Sequence, residues 1–353
     1  MNHINSCKRM HPRLFEIPII HWPVGTYGPM LVIGFLAAIM LIRRLSRSMG
    51  TDPQHIINAA LYSLIGGVIG ARVFYFIHHH DQFQGDFLGL FRVWNGGLEL
   101  LGGVVAAVAV ILIFLKYHKL PIRPYLDILA IGLMLALVFG RIGCFLNGCC
   151  FGKPANLPWA VRFPYNSFVF TSQVNPDFAR NRTKPYINLP SDYFFAFDED
   201  GYGYLKPLNE LSEEQKMEVT KGQYRALPVH PTQLYTSASA AFLTLVLFFF
   251  WRRSKKSKSS FLTAPGSTFS LMLILYGVMR FIMEALRDDN PFEHGWWAIY
   301  KGGTVSQNLS IYMLILGVTT MIIFQIVNKK QTVETSILSR ENTPKSNKKP
   351  VSV

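Results

Sequence analysis

Seven stretches of this chain are long and apolar, and polar intervals of unequal length separate them. They run over about 27–42, 56–77, 98–115, 126–145, 234–251, 269–286 and 309–327. Each approaches the roughly 20 residues a helix needs to cross the hydrocarbon core of a bilayer. The pattern predicts an all-α polytopic membrane protein with about seven transmembrane helices. Basic residues close every odd-numbered stretch. They are Arg43, Arg44 and Arg47; Lys116, Lys119 and Arg123; Arg252, Arg253, Lys255, Lys256 and Lys258; and Lys329 and Lys330. The positive-inside rule puts those four ends in the cytoplasm, which sets the N-terminus outside and the C-terminus inside.

The intervals give the remaining organisation. Residues 1–26 form an outer N-terminal arm, 27–152 carry helices one to four, and 153–229 form a small periplasmic-side cap. Residues 230–328 carry helices five to seven, and 329–353 are a cytoplasmic tail without periodicity, expected to be disordered. Residues 1–24 are broken by Pro12, Pro18 and Pro23, so no cleavable signal peptide is expected. Cys7 follows no apolar stretch, which argues against a lipid-attachment signal on the chain itself. In the cap, Asp198 and Asp200 with Gly201-Tyr202-Gly203 resemble the start of an EF-hand loop over 198–209. Position five is Tyr202 and position twelve is Asn209, so a plain acidic turn competes with calcium binding.

Composition agrees with the pattern. Charged residues make up 16% and hydrophobic residues 50%, and mean hydropathy is +0.23. Soluble domains carry about 25% charged residues. The net charge of +14 would suit nucleic acid, but the basic residues lie beside apolar runs. That placement is membrane topology, and no nucleic-acid partner is expected.

Polar groups inside the apolar stretches are the candidate chemistry: Arg72, Glu99, Arg141, Asn147, Gln233, Arg280, Glu284 and Gln307. Such residues are costly next to lipid and mark functional sites by default. Arg280 and Glu284 are four apart, so one helix face would hold both. Guanidiniums facing a cavity suit a phosphate, whose oxygens match the fork. The competing reading is structural, with arginines satisfying carbonyls and joining helices. Glycines at 66, 67, 70, 96, 97, 102 and 103 fit close helix packing or a lipid-sized groove. Cys144, Cys149 and Cys150 fit soft packing at a bend or a disulfide. Three sulfurs at this spacing match no common zinc pattern, so a metal ranks last. His78, His79 and His80 read as a solvated loop.

Several motifs together carry a resemblance. They are Tyr27-Gly28-Pro29-Met30, Gly70-Ala71-Arg72, Trp94-Asn95-Gly96-Gly97 with Gly102-Gly103, and Gly140-Arg141-Ile142-Gly143 running through Asn147-Gly148 to Gly152. His230-Pro231-Thr232-Gln233-Leu234-Tyr235 follows, then Tyr276-Gly277-Val278-Met279-Arg280-Phe281 with Glu284 and Arg287, then Ser306-Gln307-Asn308-Leu309-Ser310. Seven elements in this order resemble the prolipoprotein diacylglyceryl transferase family.

The resemblance implies an enzyme of the bacterial inner membrane, spanning it several times among membrane lipids. It would move the diacylglyceryl group of phosphatidylglycerol to the lipobox cysteine thiol of preprolipoproteins. No cofactor and no metal is implied. By position, Arg141 would contact the headgroup and Arg280 would be the second essential arginine, with Tyr27 beside them in the catalytic centre. Asn147, Gly152, Glu284, His230 and Gln233 would bind or brace substrate. The chain departs from the family pattern at Leu101, where a histidine is usual, at Cys144, where asparagine is usual, and at Cys149, where glutamate is usual. Those departures leave open a divergent member using the same pocket for thiol, redox or lipid-transfer chemistry, or for lipid binding alone.

Overall fold

The computed structural model describes residues 15–17, 22–24, 26–50, 52–80, 97, 99–256 and 262–341. Cys7, Trp94, Asn95 and Gly96 lie outside the described residues, as do 342–353 of the expected tail. The chain opens on strands β1 (Phe15–Ile17) and β2 (Trp22–Val24), which pair antiparallel in the arm. Helices α1 (Tyr27–Ser48), α2 (Pro53–His78), α3 (Leu100–Tyr117) and α4 (Ile122–Asn147) follow. A mixed segment holds α5 (Phe168–Val174), strands β3 (Phe194–Phe197) and β4 (Gly203–Leu205), and α6 (Glu213–Thr220). Then come α7 (Thr232–Lys256), α8 (Ser267–Glu284) and α9 (Val305–Glu341).

Among the described residues, α1, α2, α4, α7, α8 and α9 are long and apolar enough to cross a membrane. The chain is a multi-pass membrane protein. The third expected span is the shorter apolar helix α3, whose 18 residues rise about 27 Å. The end of the chain differs from expectation. Helix α9 continues to Glu341, past the start of the expected tail. A span already hydrogen-bonded as a helix is the nucleus that such a polar extension lacks on its own.

Helix α4 is the hub, packed against α1, α7 and α8. Tyr125, Ile128 and Ile131 of α4 are buried against a core that includes Leu247 of α7 and Met272 of α8. Its one buried carboxylate is satisfied by geometry. Asp127 accepts from the backbone N–H groups of Gly266 and Phe269, each at 2.8 Å, and so caps α8 from a neighbouring helix. Helices α2 and α3 form a pair of their own. A Cβ at Gly70 would lie 2.2 Å from the Ala106 Cβ and 2.8 Å from the Gly102 carbonyl. These glycines therefore serve close helix approach.

The segment after α4 has its own core of Tyr165, Phe170, Val174, Ile187, Leu205 and Val219. Its ends are stitched together: Ala155 N–H donates to the Pro228 carbonyl at 2.9 Å, and Val161 and Val229 exchange bonds at 3.1 and 3.0 Å. The stretch compared with an EF-hand is a hairpin turn between β3 and β4. Asp198 Oδ1 accepts from the Tyr202 N–H at 2.6 Å, and residues 203–205 are strand. The carboxylate that would open a calcium loop is thus bonded to its own turn.

Candidate active site

The ends of α4, α8 and α9 and the start of α7 bring the polar residues together. Glu284, at the last turn of α8, is 1% exposed. Its Oε2 lies 3.0 Å from Arg280 Nη2, the pairing expected of residues four apart, and 3.9 Å from Arg287 Nε. Its Oε1 accepts from Thr304 Oγ1 at 3.0 Å and from the Asn290 amide. Arg280 Nη2 also donates to Ser306 Oγ at 2.7 Å. Arg287 grips Asp289 with two bonds, Nε to Oδ1 at 2.8 Å and Nη2 to Oδ2 at 2.6 Å. Burial pushes the Asp289 carboxyl up. The pair stays ionised because a guanidinium does not deprotonate and the two short bonds hold the carboxylate against it.

Arg141, on the last turns of α4, is an electrostatic neighbour of both Arg280 and Arg287. Three guanidiniums thus meet two carboxylates, and positive charge is in excess. Two of them also have buried nitrogens without a hydrogen-bond partner among the described residues, Arg141 Nε and Arg280 Nη1. A buried, unmet donor on a charged group is unfavourable unless something else accepts from it.

Helix α4 ends at Gly148, whose φ of 73° stops the helix in the left-handed conformation. Cys149 and Cys150 follow, and Cys150 also has a positive φ, 59°. The start of α7 holds this bend: Thr232 Oγ1 donates to the Cys150 carbonyl and Gln233 Nε2 to the Cys149 carbonyl, each at 2.8 Å. The sulfurs of Cys144, Cys149 and Cys150 all lie within 4.8 Å of one another, as free thiols. The neighbouring Cys144 and Cys149 thiols hold the Cys150 thiol well below its ordinary value, and the Arg287 and Arg141 charges add to this against burial.

Other expected residues take defined places. Tyr27 opens α1 beside Gly143, where a Cβ would stand 3.0 Å from the Tyr27 ring. Its hydroxyl has Arg141 and all three cysteines as electrostatic neighbours. Asn147 is an electrostatic neighbour of the Cys149 thiol. Gly152 runs beside His230, where a Cβ would meet the His230 Cβ at 2.6 Å and its carbonyl at 2.7 Å, so no side chain fits. His230 Nδ1 is 3.5 Å from the Tyr235 hydroxyl. Leu101 is 49% exposed on α3. Gln307 joins a capping box at the start of α9: its Oε1 accepts from Thr304 N–H at 2.9 Å, and Thr304 Oγ1 accepts from Gln307 N–H at 3.2 Å. His78 ends α2, where it is exposed, and His79 caps the helix, so these two are helix end rather than loop. His78 Nδ1 pairs with Glu99 at 2.7 Å, and His79 stacks on Tyr75 with centroids 4.2 Å apart.

Sequence reasoning missed the brackets around this cluster. Arg180, from the segment after α4, donates to the Asn290 and Arg287 carbonyls and lies 3.6 Å from Asp288. Asn290 and Thr304 bond Glu284 directly. The run Arg287-Asp288-Asp289-Asn290 directly after an apolar helix was the available signal.

Helices able to span a membrane, converging on buried guanidiniums with open donors, define a polytopic membrane protein built around a buried polar cluster. The chain belongs to the prolipoprotein diacylglyceryl transferase family, whose profile matches residues 12–323. It is 28% identical over 309 residues to the phosphatidylglycerol–prolipoprotein diacylglyceryl transferase of Clostridium tetani (strain Massachusetts / E88), covering 88% of this chain and 96% of that one. It is 27% identical over 317 residues to the enzymes of that name from Shigella boydii serotype 4 (strain Sb227) and Escherichia coli O1:K1 / APEC, covering 88% of this chain and 92% of each relative.

Proposed function

We propose that this protein transfers the diacylglyceryl group of phosphatidylglycerol to the lipobox cysteine of a preprolipoprotein, at the outer face of a bacterial inner membrane. Membership of the family and the names of the relatives support the reaction. The basic residues closing α1, α3, α7 and the apolar part of α9 support the orientation. The observation that carries the site is the pair of open donors, Arg141 Nε and Arg280 Nη1, buried within one cluster.

A phosphodiester in that cluster accepts from both. The lipobox thiolate attacks the glyceryl carbon, the C–O bond to phosphate breaks, and glycerol phosphate leaves with the bonding pair. Negative charge grows on the departing phosphate, where fixed guanidiniums stabilise it without reorganising. Glu284, held by Arg280, Thr304 and Asn290, keeps Arg280 aimed. Tyr27 and Asn147 line the α4 side, and Gly152, His230 and Gln233 fix the chain that crosses it.

The test is transfer of labelled diacylglyceryl from phosphatidylglycerol to a lipobox peptide by purified protein in detergent. Arg141→Ala and Arg280→Ala should each lower the rate by about 10²–10³-fold, the usual effect of removing one oxyanion donor. Full activity in both variants would refute the site.

A further inference from the structure

Three thiols from one short stretch of chain converge beside the arginine cluster, and nothing in the reaction as described so far uses them. Cys144 comes from the last turn of α4, and Cys149 and Cys150 come from the bend after it. Their sulfurs lie within 4.8 Å of one another. A zinc ion binds thiolates at about 2.3 Å, which places tetrahedral ligand sulfurs about 3.8 Å apart, so rotation of the thiols about their Cα–Cβ bonds closes the difference.

The surroundings are those of a held ligand set. The Cys149 and Cys150 carbonyls are fixed by Gln233 and Thr232. The Cys149 N–H donates to the Cys144 carbonyl at 3.2 Å. Asn147 is an electrostatic neighbour of the Cys149 thiol. Cys150 keeps a left-handed backbone, φ 59°, that a β-carbon disfavours and that persists only where the surroundings demand it. Charge fits as well. Zinc on three thiolates carries one net negative charge, and the cations beside the cluster are Arg141 and Arg287. Packing alone needs neither three sulfurs nor a strained turn.

We propose that Cys144, Cys149 and Cys150 bind a zinc ion through three thiolates, and that its fourth position takes the substrate cysteine thiol and presents it to the phospholipid. This rests on the transferase reading above. The substrate sulfur binds zinc and its S–H proton passes to water. The zinc-bound sulfur then forms the S–C bond to the glyceryl carbon while the C–O bond to phosphate breaks, and the electron pair leaves on glycerol phosphate. No oxidant or reductant is consumed. Three protein ligands with one open position is the arrangement of catalytic rather than structural zinc. Spacing along the chain ranks a metal last; the convergence of the sulfurs in space reverses that order.

The test uses full-length protein in detergent, purified under reducing conditions with Cys7→Ser as background. Metal content is measured after dialysis against zinc chloride, and cobalt(II) is then loaded as the spectroscopic probe. We expect one zinc per chain, loss of it in Cys144→Ser, Cys149→Ser and Cys150→Ser, and thiolate-to-cobalt bands. Those bands should shift when a lipobox peptide is added and stay still with the peptide carrying serine for cysteine. Because the cobalt titration is made on the unaltered cluster, misfolding of a serine variant does not blunt the test. No bound metal overturns the proposal, as does cobalt that is bound but indifferent to the peptide thiol. A native mass short of two hydrogens, marking a disulfide, overturns it too. Product formed at full rate by metal-free reduced protein defeats the zinc proposal and leaves the transferase standing, whereas no product from any metal state defeats the transferase reading itself.

Discussion

The α8–α9 corner and the α2–α3 pair are built on opposite rules. Around α8 and α9, helix ends are tied by polar groups: Glu284 to Arg280, Thr304 and Asn290, Arg287 to Asp289, and Ser270 to Thr320 at 2.9 Å. Along the length of α2 and α3 the contact is apolar and close, made by Gly66, Gly67, Gly70, Gly102 and Gly103, with the polar tie of His78 to Glu99 only at one end. Outward from that contact the pair exposes Ile65, Ile69, Val104, Val105 and Val108. It leans on the rest of the bundle mainly through α1. Polar ties fix atoms in one arrangement, because an unmet buried donor or acceptor is costly. Small-residue packing holds two helices together but does not orient a charge. The proposed chemistry is placed on the tied corner, and the glycine-packed pair offers an exposed apolar wall.

Perturbations should separate the two regions. The largest effect is expected from Glu284→Ala, which leaves Arg280 uncompensated. Breaking a buried ion pair costs about 3–5 kcal/mol. Thermal unfolding in detergent should fall sharply, and an unchanged midpoint would mean that Glu284 does not hold the corner. Next comes Arg180→Ala, which removes bonds from a charged donor worth about 1.5–3 kcal/mol. Because Arg180 grips the backbone at Arg287 and Asn290, transfer rate should fall together with stability; stability lost at full rate would detach the clamp from the site. Gly70→Leu should cost about 1–3 kcal/mol by overpacking. Its midpoint should drop less than that of Glu284→Ala, and an equal drop would erase the distinction between the regions. Smallest is Lys153→Ala, which loses one exposed bond to the Ala285 carbonyl. A shift beyond about 0.5 kcal/mol there would contradict its peripheral place.

Much of the scaffold is legible along the chain because lipid imposes a simple rule. Apolar runs of helical length mark α1, α2, α4, α7, α8 and the start of α9, although α1 runs on to Ser48 and α9 to Glu341 beyond them. Arg280 with Glu284 is legible too, since residues four apart share a helix face. What is hidden depends on contacts distant in sequence. Asn290 and Thr304 reach Glu284 from beyond the helix, and Arg180 reaches Arg287 from 107 positions away. His78 finds Glu99 across 21 residues. The convergence of the cysteines is hidden for a different reason. Spacings of five and one look wrong for a ligand set until the left-handed turns at Gly148 and Cys150 fold the bend back on the helix.

The stitching of residues 152–161 to 228–230 has a consequence for how this architecture varies. Because Gly152 and Lys153 already bond His230, and Ala155 bonds Pro228, everything between enters and leaves through one narrow doorway. Chain can be added or removed beyond that doorway without lengthening any path through the helices, as a side room changes size without moving the walls of a house. Some contacts do cross back into the main structure: Arg180 grips Arg287 and Asn290, the Ala179 carbonyl accepts from the Phe292 N–H at 3.0 Å, Tyr186 reaches Asp288 and Trp159 reaches Tyr235. A graft that shortens the interval should keep the helices upright, and should keep the reaction only if it supplies a new hand for that grip.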